Sequence, residues 1–259
     1  MKKSVCIEMI FTEVGFEDRF QLTRESGFDY IEFWSWQDKD IKKIKELCRV
    51  HGLKVASFSG DQDFSMVDKR QQEDYIGFVK ESIETAKLLS CGHLVVHSNA
   101  LGEKGVVINH YPNIAKKNKM ATMLDVLKTL ATEAEKSDII LVLEALNTTV
   151  DHRGNFLTST KKAAELIRSV DSSHIKILYD VYHMQIMEGN IINTLEAYID
   201  AIGYIHIADV PGRHEPGTGE INFANIMKAL KRLNYDGMIG FELAPLHDSK
   251  EAVRMLADL

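Results

Sequence analysis

The sequence predicts an α/β fold closed into one (β/α)8 TIM barrel. Three observations carry that reading. Short apolar runs of about five residues or fewer, such as 139–143 and 94–96, alternate with charged amphipathic segments of roughly 10–20 residues. Runs without polar alternation suit strands buried on both faces, as in a parallel sheet whose crossovers are helices. The 259 residues also divide into eight units of about 32 residues, and one such barrel takes about 250. No linker rich in Pro, Ser or Gly interrupts the chain, so residues 1–259 read as a single domain.

Strands are expected at 4–10, 29–34, 54–59, 93–98, 138–144, 175–180, 203–208 and 237–242. The first covers most of the apolar stretch 5–11, broken by Glu8; that stretch is too short for a signal peptide and lacks a small-residue cleavage site. Helices are expected at 17–26, 38–50, 69–90, 120–136, 159–169, 190–201, 223–233 and 248–258. The third shows the helical period most clearly, with Tyr75, Phe78, Val79, Ile83, Ala86 and Leu89 on one face. Asp38 and Asp68 are candidate N-caps. Gly27, Gly52, Gly92, Gly203 and Gly237 each precede a strand, where a helix ends in a left-handed residue. The longest irregular stretch, 101–119, is a candidate lid.

Composition narrows the function. Hydrophobic residues make up 45% and charged residues 27%, which excludes a disordered, collagen-like or disulfide-stapled chain. Lys and Arg number 31 against 38 Asp and Glu, for a net charge of −7, which argues against nucleic acid and anionic membranes as partners. Cys6, Cys48 and Cys91 form no CxxC pair and read as buried reduced thiols. No apolar run reaches the roughly 18 residues of a membrane helix, and the expectation is a soluble, cytoplasmic protein.

The active face of a parallel barrel lies at the C-terminal strand ends. Four consecutive strands each deliver one metal-competent residue there: Glu144 in LVLEALN (141–147), Asp180 in ILYDVYHM (177–184), His206 in YIHIAD (204–209) and Glu242 in GFELAP (240–245). The steps between them, 36, 26 and 36 residues, each approximate one βα repeat. Three carboxylates at one point repel one another, and a divalent cation removes the conflict. Oxygen-rich ligation with one His suits Mn²⁺ or Mg²⁺, with Co²⁺ or Zn²⁺ as alternatives. His97, Asn147, His183 and Arg213 are candidate substrate contacts on the same face, with Asn99, Gln185, His214 and Glu215 nearby. Glu32 in YIEFW (30–34) is expected towards the rim, with Trp34 and Trp36 either walling the pocket or packing in the core. The Gly-x-Gly at 217–219 lacks the lysine of a phosphate loop and reads as a shaped turn.

The segments YDVYHMQIMEGN (179–190) and HIADVPGRHEPGTGEIN (206–222) resemble the hydroxypyruvate isomerase family. That family lies within the xylose-isomerase-like group of barrels, which also holds ketose 3-epimerases. The resemblance spans nearly the whole chain and is densest from Glu144 onward. It implies a divalent metal on Glu144, Asp180, His206 and Glu242, with Glu144 and Glu242 also acting as acid/base residues in carbohydrate metabolism. The implied reaction is aldose–ketose isomerisation of a small hydroxycarbonyl compound or sugar through an enediolate; the alternative is 3-epimerisation by the same two glutamates. Two departures stand out. Bacterial hydroxypyruvate isomerases often carry Gln where this chain has His206. Hexulose 3-epimerases carry a further glutamate shortly after the first, where this chain reads Thr148, Thr149 and Val150 after Asn147. A phosphodiesterase on the same barrel would need a trinuclear His-rich cluster and a basic groove. Related barrels commonly form dimers or tetramers, and the sequence leaves the oligomeric state open.

Overall fold

A computed structural model describes residues 1–257 and 259. Its strands are β1 (Lys2–Cys6), β2 (Tyr30–Phe33), β3 (Lys54–Ser59), β4 (His93–Val96), β5 (Ile140–Glu144), β6 (Ile175–Asp180), β7 (Ile202–Ile207) and β8 (Met238–Phe241). Each pairs in parallel with the next, and β8 returns to β1, from Lys2 opposite Met238 to Val5 opposite Phe241, closing the barrel. The helices are α1 (Asp18–Glu25), α2 (Ile41–His51), α3 (Gln72–Leu89), α4 (Lys116–Ser137), α5 (Thr160–Val170), α6 (Val181–Met187), α7 (Ile191–Tyr198), α8 (Phe223–Arg232) and α9 (Ser249–Ala257). The expected α/β barrel is the observed one.

The apolar side chains form two layers, as period-2 alternation in a closed parallel sheet requires. The outer layer joins strand residues such as Ile31, Leu94, Leu141, Leu143 and Ile177 to helix residues such as Val79, Val126, Leu130 and Ile167. The inner layer takes one residue from each of six strands: Ala56, Val95, Val142, Leu178, Tyr204 and Met238. Two residues beyond four of those positions stand His97, Glu144, Asp180 and His206, and four beyond Met238 stands Glu242. The inner layer is therefore the floor on which the polar residues rest.

Several local expectations change. β1 stops at Cys6, because the chain turns there: Met9 N and Ile10 N both donate to the Cys6 carbonyl. Ile7 and Ile10 are buried beyond the ladder. The cap of α2 is Asp40, which accepts from Lys43 N at 3.0 Å, whereas Asp38 pairs with Lys39. Asp68 caps a 3₁₀ turn (Lys69–Gln71) that leads into α3. Of the five glycines, Gly27 and Gly52 take the left-handed conformation, while Ser90, Asp138 and Asp171 fill that role after α3, α4 and α5. Gly203 lies inside β7, where a Cβ would stand 2.7 Å from Lys176 Cβ. The sequence expectation missed α6, and placed the last helix over 248–258, of which residue 258 lies outside the described residues. Among the described residues no helix is long and apolar enough to cross a membrane.

All three cysteines are free and buried. Burial pushes the Cys48 and Cys91 thiols up to about 12 and Cys6 well above its usual value, where the Glu242 and Glu32 carboxylates add to the effect. At pH 8 only about one Cys48 or Cys91 in ten thousand is a thiolate. A disulfide-exchange reagent at pH 8 should therefore find no fast-reacting thiol in the folded chain and three in urea; a native thiol reacting within seconds would contradict this.

Candidate metal centre and active-site cavity

Glu144 ends β5, Asp180 ends β6, His206 is penultimate in β7 and Glu242 directly follows β8. Asp180 is in register with His206, and His206 with Gly240. One ligand atom from each of the four lies within 4.8 Å of the other three. Glu144, Asp180 and His206 are buried, and Glu242 nearly so. Glu144 Oε1 and His206 Nδ1 are buried without a hydrogen-bond partner, although the Glu242 carboxylate lies 3.2 Å from His206 Nδ1. An unsatisfied buried polar atom costs about 1–3 kcal/mol. Two such atoms in one cluster of three carboxylates and an imidazole fit a hard divalent cation.

The surrounding charges act unequally on Asp180 and Glu242. Arg213 Nη2 donates to Asp180 Oδ2 at 2.9 Å and to Glu242 Oε2 at 2.5 Å, with its guanidinium over the Tyr182 ring. Burial raises the Glu242 carboxyl, but Arg213 and His206 outweigh it and hold the group well below the carboxylate range. Burial pushes Asp180 up to about 6 against the pull of Arg213, with repulsion from Glu144 adding to the rise. Burial opposes protonation of His206, yet the carboxylates of Glu32 and Glu242 raise it well above its ordinary value. His97 follows the same logic: burial is overcome by Asp61 and Glu144, and the imidazole rises to about 10. It donates from Nδ1 to Asp61 Oδ1 at 3.0 Å and from Nε2 to Glu144 Oε2 at 3.1 Å.

His183 is the opposite case. Burial, then the charge of Arg213, lowers it well below the usual imidazole value, so it is neutral. The Asn147 carbonyl oxygen accepts from Val150 N and Asp151 N, which fixes the orientation of the amide. Its NH₂ therefore donates to His183 Nδ1 at 2.7 Å. The remaining N–H of His183, at Nε2, faces Asp180 Oδ2 at 3.5 Å and Glu144 Oε1 at 3.8 Å. Asn147 itself is fully buried and orients His183 rather than facing the cavity. His97, His183 and Arg213 do line that cavity, which has a volume of about 500 Å³. Leu101, Gly102, Lys104 and Gly105 of the 101–119 segment form part of its wall. Trp34 stands at the mouth and donates from Nε1 to Glu242 Oε1 at 2.7 Å. Trp36 packs against the core and donates to Ser82.

A model of the xylose isomerase-like TIM barrel family matches residues 20–259. The chain belongs to this family. A hydroxypyruvate isomerase of Escherichia coli K12 is 30% identical, over 99% of this chain and 98% of its own length. A 2-oxo-tetronate isomerase of Pectobacterium atrosepticum is 32% identical, over 92% of this chain and 90% of its own. Among solved structures, an AP endonuclease of family 2 from Brucella melitensis superposes with a TM-score of 0.90 at 24% identity, covering 99% of this chain and 98% of that one, which shows the shared fold. With isomerases as relatives along nearly its full length, this member of the xylose isomerase-like family is an enzyme of the isomerase and epimerase class.

The sequence expectation missed residues that hold this site in place. Asp61 is buried and accepts from His97 N, His97 Nδ1 and the Tyr75 hydroxyl. His152 lines the cavity, bonds the Gly105 carbonyl through Nδ1 and sets its ring edge-on to His183. Asp209 is fully buried and accepts four backbone N–H groups, from Val210, Gly217, Gly219 and Ile221, at 2.9–3.0 Å. The Gly-x-Gly at 217–219 thus wraps the chain's own carboxylate; a Cβ on Gly219 would lie 2.0 Å from the Val210 carbonyl oxygen. The sequence cue to Asp209 is its place two residues after β7. Arg213 sits inside this loop in the left-handed conformation, its N–H bonded to the Asp209 carbonyl. Hydrogen bonds to a charged group are worth about 1.5–3 kcal/mol each. Asp209→Ala should therefore cost about 3 kcal/mol or more in urea unfolding. It should also speed amide exchange at Gly217, Gly219 and Ile221, and unchanged exchange there would refute the loop's dependence on Asp209.

Proposed function

We propose that this protein is a divalent-metal-dependent isomerase that moves a carbonyl between adjacent carbons of a small hydroxy-keto acid such as hydroxypyruvate. The observation that carries this reading is the pair Glu144 and Glu242 within one cluster of four metal-competent residues, in a chain whose full-length relatives are named isomerases of 2-oxo acids. Glu144, Asp180, His206 and Glu242 would hold the ion, Mn²⁺ or Mg²⁺ by the hardness of three carboxylates, with Co²⁺ or Zn²⁺ also accommodated. When bound, that ion supplies Lewis-acid polarisation of the carbonyl, which acidifies the adjacent C–H.

The protein's own groups do the rest. Glu242, kept ionised by Arg213 and His206, takes the carbon proton. Glu144 would return a proton to the neighbouring carbon, drawing it from the His97 Nε2–H bonded to its Oε2, while the substrate hydroxyl proton shifts to the former carbonyl oxygen and the proton held by Glu242 goes back to His97 through solvent. Arg213 and the Nε2–H of His183 anchor substrate oxygens, and His97 contributes its charge to the same wall. Trp34 and the 101–105 segment narrow access to water. The substrate is a small molecule, and the three reduced thiols fit a cytoplasmic setting.

The purified chain supplied with Mn²⁺ should convert hydroxypyruvate to its aldehyde isomer, lose activity in EDTA and regain it with Mn²⁺. In D₂O, deuterium should appear on the adjacent carbon; deuterium confined to an inverted carbon of a ketose would mark an epimerase instead. Glu144→Gln and Glu242→Gln should each lower kcat by about 10²–10⁴-fold. Full activity in Glu242→Gln with metal bound would overturn the assignment.

A further inference from the structure

A further carboxylate stands behind His206. The sequence placed Glu32 towards the rim; the structure sets it in the wall of the cavity, low enough to be 4% exposed. Its Oε2 lies 2.8 Å from His206 Nε2 and accepts from Ser57 Oγ at 3.2 Å. Its Oε1 accepts from Ser4 Oγ, which also meets the Tyr204 hydroxyl at 2.8 Å. Side chains from β1, β2, β3 and β7 thus meet at one buried point. β8 contributes by having none: a Cβ on Gly240, the register partner of His206, would lie 2.1 Å from Glu32 Oε1 and 2.7 Å from His206 Cδ2. The glycine makes room for the Glu32–His206 pair.

A carboxylate accepts hydrogen bonds and does not donate them, so the His206 nitrogen facing Glu32 carries the proton. The other nitrogen, Nδ1, is the one without a hydrogen-bond partner, and it faces the cluster. We infer that Glu32 is a positioning residue for the metal centre: it sets the ring orientation of His206 and holds the proton on Nε2, so that Nδ1 is the nitrogen that gives up its proton to bind the cation. This rests on the reading of the four-residue cluster as a metal site. Carboxylates behind a ligating imidazole commonly hold the ring in this way, and removing them costs about 10–100-fold in metal affinity.

The test is Mn²⁺ titration of the metal-free full chain, wild type and Glu32→Gln, by calorimetry, with thermal unfolding followed in parallel. Wild type should bind one Mn²⁺ at the cluster. Glu32→Gln should bind it 10–100-fold more weakly while its metal-free Tm stays level or rises, a pattern that general loosening of the barrel would not produce. Affinity within twofold of wild type would overturn the role of Glu32 and leave the metal centre intact. A wild-type chain that takes up no Mn²⁺ would overturn the metal centre and this inference with it. If Glu32→Gln does not fold, Zn²⁺ titration of ¹⁵N-histidine-labelled wild type decides. Coordination of His206 through Nδ1 with Nε2 protonated supports the inference, and coordination through Nε2 overturns it.

Discussion

Three carboxylates converge in a buried space, and most of the polar architecture follows from the need to hold them there. Two like charges about 4 Å apart repel by about 4 kcal/mol at the effective dielectric of a protein. The chain answers with cations at contact distance: Arg213 against Asp180 and Glu242, His97 against Glu144, and His206 against Glu242. The opposite displacements of Asp180 and Glu242 show how unequal those answers are. Glu242 has both Arg213 and an imidazole, whereas Asp180 is more deeply enclosed and pressed by Glu144.

Each of the groups facing the cluster is in turn held by a buried polar residue from another part of the chain. Asp61 holds His97, Glu32 holds His206, Asn147 holds His183, and Asp209 holds the loop that delivers Arg213. These supporting residues reach the site from β2 and from the loops after β3, β5 and β7, so the site depends on closure of the whole barrel. Rigid support of this kind holds the side chains facing the cluster within a few tenths of an ångström of one geometry.

The four-residue cluster was legible in the sequence because barrel strands repeat at a regular spacing and end in a shared plane. Glu144, Asp180, His206 and Glu242 announce themselves as polar residues closing apolar runs. The supporting residues carry no such mark. Glu32 sits mid-strand, and whether it faces in or out depends on the pleat and on a register shift between β2 and β3. Asp209 reads as an ordinary loop residue until the fold of 210–221 brings four amides onto it. Asn147 reads as a substrate contact because its position is right, but its amide is consumed by the turn it closes. The apolar run after Cys6 extends the first strand on paper, although the chain has already turned away. Composition and spacing speak to which face a residue occupies; partners depend on contacts between segments far apart in the chain, 174 residues in the case of Glu32 and His206.

The two tryptophans differ in a way that gives the molecule an internal optical gauge. Trp36 is fixed against Ser82 and the core, a constant background. Trp34 is 47% exposed at the cavity mouth, and its indole N–H is committed to one oxygen of Glu242. Any event that turns the Glu242 carboxylate must break or bend that bond and alter the polarity around the indole. Emission from a single side chain thus follows the state of a buried carboxylate, with no label attached.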